Sequence, residues 1–264
     1  MKLSTLLKSF KNQKGFNLSY TNLGRNFYQN LNNVNDEEII IYHHLGLGDH
    51  IICNGLVNYI SRDYKVHLPV KSSNLKNVNY LYSENSSVKP FSINEKDEYA
   101  EILNYSNRSN LKILKIGFNY QIKDKDNYWN KSFYNQLGLD YEVSFSHFNF
   151  PFEYEKGLEL EKHLKKFYGI KDSYALVHKQ SSKKKFSLKL DEESIIEVDK
   201  ESDVFNNLFL YSTLIKNARS VHCINSSFIH LVERVNTNAD LYYHKLWESN
   251  FVLNKDWEVI SYGG

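Results

Sequence analysis

Glu38-Ile39-Ile40-Ile41-Tyr42-His43-His44-Leu45-Gly46-Leu47-Gly48-Asp49-His50 joins a β-branched apolar run to a glycine-rich turn, and Ile51, Ile52, Leu56, Val57 and Ile60 follow at helical spacing. The stretch reads as strand, turn and helix. Outward from it, residues 66–70 form a second strand pattern, 78–82 a helical or loop segment, and 111–118 another strand-like run with Gly117 near its end. Residues 174–178, 195–198, 220–224, 241–244 and 257–262 continue the strands, with helical patterns over 154–168, 208–218 and 226–235 between them. Alternation of this kind predicts an α/β class with a parallel sheet in each half.

Composition sets the outer bounds. The chain has 264 residues, 41% of them hydrophobic, with 20 Tyr and 16 Phe, enough aromatic area for a core and enough length for one large or two compact domains. A net charge of +2 does not point to nucleic acid as a partner. Two cysteines, Cys53 and Cys223, cannot make a disulfide framework, and reduced thiols in a cytoplasmic protein are expected. Residues 1–37 stand apart because 1–35 carry Lys2, Lys8, Lys11, Lys14 and Arg25 but no acid. Leu3, Leu6, Leu7 and Phe10 recur there at helical spacing, as in a solvated arm, a helix packed on the body, or a basic helix on an anionic membrane surface. The aromatic stretch 145–152 places a boundary near 153, dividing the rest into 38–153 and 154–264.

Two turns hold the candidate chemistry, 43–50 after the first strand and 225–230 after a late one, both at carboxyl ends of predicted strands, where α/β sheets bind ligands. Gly46 and Gly48 suit a tight turn or a close approach. Neither a dinucleotide fingerprint nor a P-loop is present: the third position of the former falls on Ile51, and no Gly-Lys-Ser/Thr follows a glycine at the right spacing. Asp49 lies in the first helical turn and reads either as a complement to the helix dipole or as a reactive carboxylate. His43 and His44 are adjacent on a strand end and should point opposite ways, and Cys53 falls in an apolar pattern, so no metal site is expected.

Residues 38–60 resemble the acceptor-side motif of heptosyltransferase-like glycosyltransferases of GT-B fold, in which an apolar strand, a Gly-Asp turn and an apolar helix follow one another. Residues 217–231, from Asn217-Ala218-Arg219 through Asn225-Ser226-Ser227 to His230-Leu231, are similar to that family's nucleotide-sugar segment, and 177–185 to its first C-domain strand and basic loop. Asn225 stands where the family usually has Asp, Ser227 where it has Gly, and Gly55 where a Pro is common.

The resemblance implies two facing Rossmann-like domains, acceptor first and nucleotide-sugar second. It implies metal-independent, inverting transfer of a sugar from a nucleoside-diphosphate sugar to a glycan or glycolipid hydroxyl, with no cofactor. Asp49 would act as general base, with His50 or His44 as fallback. Gly46, Gly48, Asn54, His178, Lys179, Lys183, Lys184, Lys185, Asn225, Ser226, Ser227 and His230 would bind substrate. The alternatives are a non-catalytic nucleotide- or carbohydrate-binding protein of the same fold, or a fucosyltransferase-like GT-B enzyme.

Overall fold

The computed structural model describes residues 27–28, 30–118, 128–181 and 184–262. The amphipathic pattern at Leu3 to Phe10 and the candidate Lys183 lie outside these residues.

The chain is a mixed α/β protein with two parallel five-stranded sheets. The first contains β1 (Phe27–Tyr28), β2 (Glu38–Tyr42), β3 (Lys65–Lys71), β4 (Val88–Ile93) and β5 (Ile113–Lys115) in the order β1-β5-β2-β3-β4. The second contains β6 (Ala175–His178), β7 (Ile195–Glu197), β8 (Ser220–Cys223), β9 (Asp240–Lys245) and β10 (Glu258–Ser261) in the order β10-β9-β8-β6-β7. Ile39, Ile40 and Ile41 are all fully buried, which a strand achieves only when both faces of its sheet are covered.

The predicted helix after the first turn is α1 (Leu47–Ile60), entered through Gly46 in an extended conformation. Every residue from His50 to Val57 is buried, so α1 has no solvent face and is a core helix. It packs against α5 (Val143–Ser146) and α8 (Ser227–Val232), one from each half of the chain. Gly55 permits the first contact: a Cβ there would lie 2.3 Å from the Val143 carbonyl oxygen. The Tyr134 hydroxyl, from α4 (Trp129–Asn135), donates to the Ile52 carbonyl at 2.7 Å and accepts the Leu56 N–H at 3.3 Å, pinning the middle of α1.

Three elements were not foreseen: the two-residue β1, β4 and α3 (Glu98–Ser109). β4 carries Pro90 and Lys89 and is only partly buried, so its apolar run is broken; it sits on the sheet edge, where a proline is tolerated. Pro69 lies inside β3, but the pairing of β3 with β2 ends at His67, so the proline falls beyond that neighbour. The helix predicted over 208–218 begins as a 3-10 turn, Leu208–Leu210, before α7 (Tyr211–Asn217). α6 (Tyr154–Tyr168) packs on α7, with Gly157 facing Thr213.

The two halves also bond directly. Leu208 N–H donates to Asn77 Oδ1 at 2.8 Å, and Asn130 exchanges side-chain bonds with the Val252 backbone at 2.9 and 3.1 Å. Among the described residues no helix is long and apolar enough to cross a membrane. Gly55→Ala should cost about 1–3 kcal/mol, because the new methyl group meets a backbone carbonyl that cannot rotate away; a urea unfolding midpoint equal to wild type would contradict this packing.

Candidate active site

In each sheet the chain order reverses beside one strand, between β2 and β5 in the first and between β6 and β8 in the second. The carboxyl ends at such reversals are open, because the connecting helices leave on opposite faces. A cleft of about 1010 Å³ runs along these ends and is lined by segments following β2, β3 and β4 on one side and β6, β7, β8 and β9 on the other.

Seven of the residues singled out from the sequence line it: Gly46, Gly48, His178, Lys184, Asn225, Ser226 and Ser227. The two motif turns are in van der Waals contact. A Cβ on Gly48 would lie 3.3 Å from both Ser227 Cα and His230 Cδ2, so the start of α1 approaches the start of α8 as closely as a glycine allows. Ser226 Oγ lies 3.0 Å from His178 Nδ1, joining the ends of β6 and β8. The His178 ring stacks on Phe228, and burial lowers its pKa to about 4, so it meets the serine as a neutral ring.

Asp49 is at the third position of α1, and its Oδ2 accepts the Gly46 N–H at 3.1 Å, which ties the turn to the helix. Its side chain retains 17% of its surface, and Oδ1 is 4.0 Å from His44 Nδ1. Burial pushes the carboxyl up to about 7, against the Gly46 hydrogen bond and the field of Lys71. His44 is partly open, with its ring edge-on to Phe118 and Phe133, and burial followed by the nearby Lys115 lowers its pKa.

The remaining expectations are revised by burial or pairing. His50 is fully buried, edge-on to His43, with both ring nitrogens unpartnered, and so turns away from the cleft it was expected to serve as fallback base. Asn54, also fully buried, holds the Asn149 N–H at 2.9 Å and so fixes a loop instead of touching substrate. His230 sits behind Gly48 against Trp129 and Phe251, and burial lowers its pKa to about 3. Lys179 and Lys185 both pair with Glu197, which leaves Lys184 as the member of the basic loop on the cleft wall among the described residues.

Sequence reasoning passed over Lys71, Phe186, Asp199, Tyr211 and Trp247, all on the wall. Four of them follow the carboxyl ends of β3, β6, β7 and β9, so extending the strand-end rule from two strands to every strand finds those four.

No protein-family model matches the chain, and no curated protein matches it in sequence. Solved structures do. The glycosyl transferase family 9 structure from Veillonella parvula DSM 2008 aligns with a TM-score of 0.56 at 9% identity, covering 86% of this chain and 86% of that one. E. coli ADP-heptose LPS heptosyltransferase II aligns with a TM-score of 0.46 at 11% identity, covering 85% and 90%. At 9% identity the likeness to the family 9 structure is one of fold.

The Asp49 carboxyl has a testable pH signature. Its folded pKa, about 7, lies above its ordinary 3.8, so its contribution to stability is fully present below about pH 4 and is lost as pH rises through about 7. Asp49→Asn keeps an acceptor for the Gly46 N–H and removes the titration. The variant should gain stability relative to wild type between pH 4 and 8; a constant difference across that range in urea melts would show that Asp49 is not desolvated.

Proposed function

We propose that the protein is a glycosyltransferase of GT-B arrangement, with residues 38–153 as an acceptor domain and 154–264 as a nucleotide-sugar domain. It would move a sugar from a nucleoside-diphosphate sugar to a glycan or glycolipid hydroxyl. The observation that carries this reading is the contact of Gly48 with Ser227, which brings the Asp49 turn and the Asn225–Ser227 turn to one cleft. The fold shared with a family 9 glycosyl transferase structure supports it.

In this reading the diphosphate lies along Ser181, Ser226 and Ser227, whose hydroxyls donate to it, and Lys184 meets the negative charge that grows as the sugar–phosphate bond breaks. The acceptor oxygen attacks the anomeric carbon from the opposite face, the diphosphate leaves with the bonding pair, and Asp49 takes the hydroxyl proton. A carboxyl poised at about 7 suits that role, because it is ionised enough to accept a proton near neutral pH and basic enough to hold it. His44, 4.0 Å away, would orient Asp49. Lys184 supplies the positive charge, so the scheme calls for no divalent cation.

Two measurements test it. Calorimetric titration with nucleoside diphosphates should show binding that survives a chelator; binding lost with the metal would remove the lysine-based scheme. Asp49→Asn should fold and bind donor normally yet lose turnover by roughly a hundredfold or more, since an amide cannot take the proton. Full turnover in the folded variant would move the base to His44.

A further inference from the structure

Beyond Lys184 the cleft wall turns aromatic. Trp247 is 38% exposed, unusual for so large an apolar side chain, and it faces the cleft together with Phe186. The two rings pack at 5.4 Å between centroids with 37° between planes, and the Lys184 ammonium stands 4.6 Å from the centre of the Phe186 ring. A cation and an open indole thus flank one phenyl ring.

Both supports are held in place from behind. Phe186 N–H donates to the Lys179 carbonyl at 2.8 Å, Gln180 bridges to Lys185, and Lys189 N–H reaches the Tyr262 hydroxyl at 2.9 Å, which pins the chain on either side of Phe186. The turn carrying Trp247 is closed by Lys245 with Glu248 at 2.9 Å and by the Tyr243 and Ser249 hydroxyls at 3.1 Å. The indole is presented ready-made, so a planar ligand would bind with little ordering cost.

We infer that Trp247, backed by Phe186, is the platform on which the nucleobase of the donor stacks. The inference rests on the nucleoside-diphosphate reading of this cleft. With the reacting carbon required beside Asp49 and the diphosphate beside Ser226 and Lys184, the nucleoside must extend toward one end of the second sheet, past β9 or past β7. The β7 end presents the carboxylates of Asp199 and Asp203, with Lys200 beside them, and both acids are committed to capping backbone N–H groups of their own loop. At the β9 end a lysine and an open aromatic face stand together, the pairing a phosphate joined to a base requires. Stacking is indifferent to which base is present, so this platform contributes affinity and leaves discrimination among bases to polar contacts.

The test is titration of ADP, GDP, UDP and CDP, and of inorganic pyrophosphate, against the full chain and its Trp247→Ala and Trp247→Phe variants, followed by calorimetry and tryptophan emission. Trp247→Ala should weaken the diphosphate that wild type binds by roughly tenfold or more, leave pyrophosphate affinity unchanged, and abolish the emission change. Trp247→Phe should recover most of the affinity. Trp129 and Trp257 remain in both variants as internal references. If wild type binds a nucleoside diphosphate and Trp247→Ala binds it equally well, the platform is refuted while the donor reading stands; if wild type binds none of the four, both fall.

Discussion

The close approach of α1 to α8 governs the rest of the molecule. Two helix N-termini, each following a strand of a different sheet, meet at Gly48 and Ser227, where a β-carbon on the glycine would already be in tight contact. Because α1 is buried on all sides, it cannot move away from α8 without opening a core that runs from the β2 isoleucines to Phe228. The site and the core therefore share one contact. A larger residue at Gly48 would separate the two turns and the cleft walls together, which makes the glycine a geometric requirement of both stability and site.

Desolvation then decides the protonation of this region. His50, His178 and His230 are all held neutral by burial, so the α1–α8 interface adds no imidazolium charge near a cleft proposed for an anion. The same burial acts in the opposite sense on Asp49, lifting an acid toward neutral pH. One physical cause thus yields inert histidines and a proton acceptor of useful strength within a few ångströms. The lysines divide by a different rule: Lys179 and Lys185 are neutralised by Glu197, and Lys184, pointing the other way along the hairpin, keeps its charge for the cleft.

Much of the architecture was legible in the chain. The β-branched run at 38–42, the long amphipathic segment 154–168 and the late strand-turn-helix pattern carry their own periodicity, and these elements appear at nearly the expected bounds. β4 and α3 escaped notice because an edge strand interrupted by Lys89 and Pro90 has no clean alternation, and a half-exposed helix beside it gives a weak apolar stripe. The candidate site was legible as two turns and not as a set of side chains.

The sequence by itself determined the strand-turn-helix units, their parallel α/β class and the strand ends at which a ligand would meet backbone and hydroxyl groups, because these depend on residues a few positions apart. Only the tertiary structure decided that Gly48 touches Ser227, that His50 and Asn54 face the core, that Glu197 takes two lysines of three consecutive candidates' neighbourhood out of play, and that Trp247 stands beside Lys184. Each of those outcomes is set by a partner far away in the chain. Local periodicity records whether a side chain is buried; which group lies opposite it is settled when the two sheets close on α1 and α8, and that pairing fixes charge, protonation and access.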